Sequence, residues 1–458
     1  MKKILFYIAL CCTSSSIQAQ TFKADSAVLK QMSNHILTNY QCYNDLRYLC
    51  KQIGHRISGS EQAAQAVEWG KKTLEKTGCD RVFLQEVMVP HWVRGEESAQ
   101  IISGKGVVSN IKLSSLGNAV GTGPNGLQAQ LLMINNIDEL KRINPETVKG
   151  KIVFFNFRFD QKNINTFESY GPCVYYRWGA PSEASKLGAI AVVIRSVSSA
   201  YDDKPHTGSL HYDPKYPTIP AVAISNTAAD ALELQMSKDN KVAMHLRTTC
   251  QMLPDVKSYN VVGEIKGSEN PEEIICFGGH LDSWDIGEGA NDDGAGVVQA
   301  IEALRVFKEL GIRPKRTIRA ILFMNEENGL RGGTKYAELA EQNNEKHILA
   351  IESDAGGGTP LGFSMTMESE KRAKIKSWAS LLLPYGLYKF DAEGGGADIG
   401  PLHRKFGTPV MELSPDSQRY FDMHHSDNDV FENVHRRELS LGAIALSHMV
   451  YLVSLYGL

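Results

Sequence analysis

The sequence predicts an α/β fold with a mostly parallel central sheet, helices on both faces and an inserted β-rich domain. Apolar runs that suit buried strands alternate with stretches of helical periodicity. Three of the runs end directly in clusters of polar residues. Between residues 108 and 256 the sequence pattern changes, because Gly- and Asn-rich turns separate short strands. These three observations define the expected architecture.

Composition narrows the class of protein. The chain has 458 residues, which is enough for one large or two ordinary domains with an ample core. Its 49 Lys and Arg residues nearly balance 52 Asp and Glu residues, and the formal net charge is −3. Since no basic run provides an electrostatic surface for phosphates, we expect no nucleic-acid partner.

The first residues have the layout of a secretory signal peptide. Two lysines precede an apolar run over residues 4–12, and small and polar residues follow up to Ala19. The run is too short to span a membrane, so residues 1–19 predict export to the periplasm or the outside of the cell, with no membrane partner. Six cysteines remain after cleavage, and Cys42 with Cys50 is a local pair that an oxidising compartment would permit.

The main domain is predicted in two parts, residues 20–107 and 257–458. In the first part, helical spacing extends over residues 25–77, and the run at residues 81–92 suits a strand. In the second, Gly294 precedes a helix that places Val297, Ile301 and Leu304 on one face. A last apolar helix over residues 439–455 is expected to pack on the sheet.

The middle region, residues 108–256, is predicted to be a separate insertion. It contains GTGPNG at residues 121–126, a formal match to the dinucleotide-binding glycine pattern. A strand follows instead of a helix, so the phosphate-binding geometry is missing and no nucleotide cofactor is expected. The histidines of the region do not follow strand ends, so we predict that the insertion carries no catalytic group.

Residues 274–296 are the most informative stretch. An apolar run typical of a strand ends at two glycines, and one imidazole and five carboxylates follow. These residues are His280, Asp282, Asp285, Glu288, Asp292 and Asp293. Like charges on one loop repel each other unless a cation neutralises them. Imidazole and carboxylate without a thiolate suit zinc or a similar ion with an open coordination position, while a solvated acidic loop or a calcium loop is the alternative.

Two further apolar runs end in the same way. Residues 318–324 are followed by Glu326 and Glu327, and residues 347–353 are followed by Asp354. In open α/β sheets, ligands bind at the carboxyl ends of the strands. The three polar clusters are therefore expected to meet at one edge of the sheet.

The motifs together resemble the cocatalytic zinc aminopeptidase/carboxypeptidase family over nearly the whole mature chain. They are His280-x-Asp282, Asn291-Asp292-Asp293-Gly294, Glu326-Glu327, Asp354, Asp398 and His425-Ser426-x-x-Asp429. The middle region, with GKIV before one strand and IPA before another, resembles a protease-associated domain, a lid that covers a peptidase cleft.

The resemblance implies two Zn²⁺ per chain and assigns a role to each site residue. His280 and Asp354 would bind one zinc, Glu327 and His425 the other, and Asp292 both. The residues alone do not separate Asp292 from Asp293. Asp282 would accept the second ring N–H of His280, and Glu326 would be the general base. His424 and His425 are adjacent, so we expect their side chains to diverge.

The expected function is hydrolysis of dipeptides or short peptides by a hydroxide shared between the two metal ions. An aminopeptidase with broad N-terminal specificity is the alternative, and a non-catalytic binding protein is the rival from another class. No G-x-S-x-G elbow favours a serine hydrolase. Arg419 could bind a substrate carboxylate, and Asp422 or Glu288 an ammonium. The family likeness also suggests a homodimer.

Overall fold

The computed structural model describes residues 23–458, so the predicted signal peptide lies outside the described residues. The strands are β1 (Arg81–Val93), β2 (Glu97–Ile102), β3 (Val108–Ile111), β4 (Ser114–Ser115), β5 (Leu127–Ile134), β6 (Ile152–Phe155), β7 (Ala191–Arg195), β8 (Ala221–Ile224), β9 (Ala243–Thr248), β10 (Gln251–Ile265), β11 (Asn270–His280), β12 (Arg316–Phe323), β13 (Lys346–Glu352), β14 (Pro360–Thr366) and β15 (Val410–Pro415). The helices are α1 (residues 23–39), α2 (Gln41–Tyr48), α3 (Glu61–Lys76), α4 (Ile137–Arg142), α5 (Pro145–Val148), α6 (Phe167–Trp178), α7 (Ala180–Lys186), α8 (Asn226–Lys238), α9 (Ala295–Glu309), α10 (Arg331–Gln342), α11 (Ser369–Ser377), α12 (Ala379–Leu382), α13 (Gly400–Phe406), α14 (Tyr420–Met423) and α15 (Arg436–Tyr456).

The first sheet has the strand order β1-β10-β12-β11-β13-β15-β14. Its four central strands, β12, β11, β13 and β15, are parallel, whereas β1, β10 and β14 pair antiparallel to their neighbours. The predicted mostly parallel sheet is therefore parallel only at its centre. The chain leaves for the second sheet along β1 and returns along β10, so these two strands run side by side in opposite directions.

Alternation along β11 distributes the core over both faces of this sheet. Ile275 and Phe277 face the cluster that includes α1, α3, α9 and α15, while Ile274 and Cys276 face α10 and α13. The predicted apolar face of α9 is completely buried. Within residues 23–458, α15 is the one helix long and apolar enough to cross a membrane, but 78% of its apolar window is buried inside the protein.

The second sheet has the strand order β3-β2-β9-β5-β6-β7-β8-β4. Strands β5 to β8 are parallel, and α4 to α7 lie in the connections between β5 and β7. The region thus combines helices with strands rather than being mainly β, because parallel neighbours need crossover connections. The sheet includes β2, so it begins at Glu97, ahead of the predicted boundary at residue 108.

An apolar cluster joins the two sheets near the carboxyl ends of the first sheet's central strands. Phe155 and Val192 of the second sheet share this cluster with Trp92, Trp284 and Phe421 from the rest of the chain. Trp92 also donates its indole N–H to the Ala119 carbonyl over 2.9 Å. The second sheet is therefore held over the edge where the polar clusters are expected.

The six described cysteines form no disulfide. Cys42 and Cys50, the pair suggested by the sequence, are both buried in the cluster that also contains Leu46 and Ala290. Burial raises the pKa of Cys42 to about 12, so this thiol stays protonated and packs as a small apolar group.

Candidate metal centre

Three strand ends bring the predicted site residues together. β11 ends at His280 and pairs in parallel with β12 on one side and β13 on the other. Glu326 and Glu327 follow β12, and Asp354 follows β13. The polar clusters therefore meet at the carboxyl edge of the sheet, where open α/β sheets bind ligands.

One group of metal-ligating atoms forms around His280. Its Nε2 lies 3.0 Å from Asp292 Oδ1 and 3.4 Å from Asp354 Oδ1. The three side chains place one ligand atom each within 4.8 Å of one another, which is close enough to hold one ion. His280 and Asp292 are buried, and Asp354 is mostly so.

A second group forms around His425. Its Nε2 lies 3.1 Å from Glu327 Oε2 and 3.2 Å from Asp292 Oδ2. Asp292 thus directs one carboxylate oxygen to each histidine, His280 and His425. The five residues to which the family resemblance assigns metal binding lie in one continuous cluster.

His424 lies beside His425 instead of diverging from it. The two rings stack with centroids 3.6 Å apart and an angle of 16° between their planes. Nε2 of His424 is 3.7 Å from Asp292 Oδ2. His425 has a φ of 61°, and this left-handed conformation turns the two side chains to the same side, so the expected divergence of these adjacent residues was wrong.

The structure separates the neighbouring carboxylates Asp292 and Asp293. Asp293 accepts hydrogen bonds from the main-chain N–H of His280 over 3.0 Å and of Gly296 over 2.9 Å. Its carboxylate therefore links the end of β11 to the start of α9. Asp292 is the one of the two that faces the histidines.

Asp282 acts differently from the expectation. Nδ1 of His280 lies 2.9 Å from the main-chain oxygen of Asp282 but 3.9 Å from its carboxylate. The carboxylate instead accepts the main-chain N–H groups of Asn325 over 2.7 Å and Glu326 over 3.1 Å, and it lies 3.4 Å from that of Glu327. The main-chain oxygen of Asp282 therefore orients the His280 ring. Its side chain holds the turn that follows β12.

Asp429 has the same kind of role on the other side of the site. Its carboxylate accepts the main-chain N–H of Asn291 over 2.7 Å and of Asp292 over 3.1 Å. The sequence contains Asp429 in the His425 motif, but no role followed from the motif alone. The structure shows that it positions the loop that carries Asp292.

The electrostatics of the cluster favour a cation. The buried oxygens Asp292 Oδ2, Glu327 Oε1 and Asp354 Oδ1 have no hydrogen-bond partner. Burial raises the pKa of Glu327 well above its usual value, and the Asp292 charge adds to the shift. Burial lowers the pKa of His280, but Asp354 and Asp292 outweigh it and raise this pKa well above normal. The residues fit divalent ions, which would neutralise these charges through imidazole nitrogens and carboxylate oxygens.

Comparison with known proteins agrees with this chemistry. Residues 260–449 match the model of peptidase family M28. Carboxypeptidase Q of Mus musculus is 36% identical over 412 residues, which are 90% of this chain and 85% of the mouse protein. The chain belongs to peptidase family M28. The family and these relatives identify it as a metallopeptidase.

Two solved structures extend the comparison. The crystal structure of the peptidase M28 precursor from Shewanella amazonensis SB2B has a TM-score of 0.89 and 31% identity, and the match covers 94% of this chain and 97% of that one. The zinc aminopeptidase of Bacillus subtilis has a TM-score of 0.65 at 21% identity, covering 90% of this chain and 94% of that one. The second likeness concerns the fold alone.

The region of the second sheet contacts this M28 site, although the sequence predicts no catalytic group in it. Nη1 of Arg177, on α6, lies 3.1 Å from Nδ1 of His425. The main-chain N–H of Thr207 donates to the His425 carbonyl over 2.8 Å, and Nδ1 of His206 lies 2.6 Å from the His424 carbonyl oxygen. No spacing in the sequence indicates these contacts, because they depend on how the two sheets pack.

A cavity of about 460 Å³ lies over the metal-ligating cluster, between the two sheets. Its walls include Tyr170, Arg177, Asn328, Glu412 and Tyr420, besides Glu326 and four of the five candidate ligands, Asp292, Glu327, Asp354 and His425. The three groups proposed from the sequence for substrate recognition lie elsewhere. Arg419 is exposed and borders a neighbouring cavity, Glu288 pairs with Lys51 at 2.6 Å, and Asp422 accepts a hydrogen bond from Ser199.

Proposed function

We propose that this M28 metallopeptidase is an exported dinuclear zinc exopeptidase that cleaves dipeptides or short peptides. The observation that carries the proposal is the position of Asp292, whose two oxygens face different histidines at 3.0 and 3.2 Å. A carboxylate placed in this way is suited to join two metal positions, as in other two-metal hydrolases. His280 and Asp354 would hold one zinc, and Glu327 and His425 the other.

The proton transfer that accompanies hydrolysis falls to Glu326 in this proposal. When bound, zinc supplies a Lewis acid that activates water and polarises the scissile carbonyl. Glu326 borders the cavity, and its main chain is anchored by Asp282, so its carboxylate has a defined position. Desolvation raises the pKa of Glu326 to about 8. We assign it the transfer of a proton from water to the leaving amine, which requires a group that both accepts and donates near neutral pH.

Residues 108–256, which form the second sheet except for β2, are proposed to be the protease-associated lid. A cavity of about 460 Å³ is within the usual range for small-ligand sites and suits a short peptide better than a folded protein. Apolar contacts hold this sheet over the cavity and would exclude water from the reaction. Export rests on residues 1–19, and a homodimer rests on the family likeness.

Aminopeptidase action is the second candidate, and Glu412 favours it. The Glu412 side chain borders the same cavity and is close enough to Asp354 to be influenced by its charge. Burial raises the pKa of Glu412 to about 8, with smaller contributions from Asp354 and Glu352. A substrate ammonium near this carboxyl would stabilise its charged form.

The test is hydrolysis of unblocked dipeptides by purified mature protein, before and after zinc removal and restoration. We expect turnover to disappear with a chelator, to return with zinc, and to fall by about 10² to 10⁴ in Glu326→Gln. The matched control is Glu370→Gln, since Glu370 is exposed on α11. Binding of peptides without any hydrolysis by the zinc-loaded protein would instead indicate a binding protein.

A further inference from the structure

We propose that Arg177 binds the C-terminal carboxylate of the substrate, which makes the enzyme selective for peptides with a free C-terminus. The inference rests on the proposed peptidase function and adds the end of the peptide that is recognised. It assigns this specificity to the second sheet, because Arg177 lies on α6.

Arg177 is a cation placed inside the substrate cavity. The residue is 5% exposed, and it is the one Lys or Arg among the cavity-lining residues in the described part of the chain. Five carboxylates that border the same cavity would repel a substrate carboxylate: Asp292, Glu326, Glu327, Asp354 and Glu412. A guanidinium is always charged and only donates hydrogen bonds, so it is the group here that can offset this repulsion.

The hydrogen bonds of Arg177 leave donors available for a ligand. Nε is buried and has no hydrogen-bond partner. Nη1 lies 3.1 Å from Nδ1 of His425, an acceptor only when that nitrogen carries no proton. A neutral histidine that binds a metal through Nε2 keeps its proton on Nδ1, and here the main-chain oxygen of Thr207 lies 3.3 Å away to accept it. Nη1 then needs another acceptor, and a carboxylate provides one.

Tyr170 completes the proposed subsite. Its hydroxyl oxygen accepts a hydrogen bond from Nη2 of Arg177 over 3.0 Å, which leaves the phenolic proton free to be donated. The ring borders the cavity and packs on Phe421 with centroids 4.8 Å apart, so the hydroxyl is held in place. Arg177 and Tyr170 together offer a charged and a neutral donor to one carboxylate.

The position of Arg177 and Tyr170 relative to the metal ligands determines which residue of the peptide the enzyme recognises. Arg177 contacts His425 directly, so a carboxylate bound to it lies next to the second metal position. The carboxylate of a single residue on the leaving side of the scissile bond would reach it. The geometry therefore favours release of one C-terminal residue, as a dipeptidase or carboxypeptidase does.

A purely structural role for Arg177, in which its charge only supports His425, makes a different prediction. That role would affect every substrate equally and would alter metal binding. A carboxylate-binding role affects only substrates that carry the carboxylate. Comparing a dipeptide with its C-terminal amide separates the two roles, because the amide keeps the shape and removes the charge.

The experiment measures kcat and KM for one dipeptide and its amide with wild type, Arg177→Gln, Arg177→Lys and Tyr170→Phe. Wild type should prefer the free acid by about 10- to 100-fold, the range for hydrogen bonds to charged groups. Arg177→Gln should abolish the preference mainly by raising KM for the acid, with the amide nearly unchanged and zinc content intact. Arg177→Lys should restore part of it, and Tyr170→Phe should lose a smaller part. Arg419→Gln is the matched control, since Arg419 is outside this cavity.

A binding measurement keeps the two proposals distinguishable. In the Glu326→Gln background, calorimetry should show tighter binding of the dipeptide than of its amide, and the added Arg177→Gln change should remove the difference. Equal losses for acid and amide, or no wild-type preference, would overturn the role of Arg177 while the peptidase function stands. Failure of zinc-loaded wild type to cleave any peptide would refute the peptidase function, while the binding comparison still decides on Arg177.

Discussion

The carboxylate of Asp282 accepts the main-chain N–H of Glu326 over 3.1 Å. Because it also accepts that of Asn325, one buried side chain fixes the turn that carries both glutamates of the site. We expect Asp282→Ala to lower turnover and zinc affinity by about 10- to 100-fold, the usual cost of losing a group that orients metal ligands. Steady-state kinetics and zinc titration check this. Unchanged values for both would show that the turn holds its shape without Asp282.

Glu326 and Glu327 should respond differently to the same substitution. Glu326→Gln keeps the shape of the side chain and removes the proton acceptor, so turnover should fall by about 10² to 10⁴ with zinc content unchanged. Glu327 Oε2 lies 3.1 Å from Nε2 of His425, so Glu327→Gln should weaken one metal position. It should also lower thermal stability, since a metal bound only to the native state stabilises it. Metal loss from the first variant and not the second would reverse the two roles.

The strand-end residues of the site could be predicted from the sequence for a physical reason. His280, Glu326 and Asp354 each follow an apolar run, and parallel strands place their carboxyl ends at one edge. The antiparallel outer strands were not predictable from these runs. Their direction depends on where the chain leaves for the second sheet and returns from it.

Other parts of the site depend on contacts that local patterns do not encode. Arg177 reaches His425 across 248 residues of sequence, through the packing of α6 against Tyr420 and Phe421 of α14. Helix α6 also contains Pro172, which weakens its helical signal. The stacking of His424 on His425 accompanies a positive φ at His425, and no local pattern in the sequence indicates that conformation at a residue other than glycine.

Burial of His448 should make stability depend on pH. This histidine of α15 faces α1, with Nε2 3.0 Å from both Ser33 Oγ and the Leu29 carbonyl oxygen. Burial lowers the pKa of His448 from 6.5 to about 3. The unfolded chain therefore binds a proton below about pH 6.5 that the folded chain excludes. The stability contributed by neutral His448 is complete above pH 6.5 and is lost as the pH falls toward 3, by about 1.4 kcal/mol per unit.

Denaturant titrations of wild type and His448→Gln measure this contribution. The difference in the free energy of unfolding between wild type and His448→Gln should shrink by about 2 kcal/mol between pH 7 and pH 5. Only wild type has a histidine at this position that the fold keeps neutral. Metal release on acidification affects both proteins and cancels in the comparison. A stability difference that does not vary with pH would show that His448 is not held neutral by the fold.

The most direct test of the metal centre is the number of zinc ions per chain in wild type, Asp292→Ala and Asp354→Ala, measured by elemental analysis after gentle purification. A carboxylate shared by two positions predicts about two zinc ions in wild type, a loss at both positions in Asp292→Ala and a loss at one in Asp354→Ala. Two ions retained by Asp292→Ala would contradict the bridging position of Asp292. A wild-type protein that is fully active with a single zinc, or that holds calcium instead, would contradict the dinuclear zinc site itself.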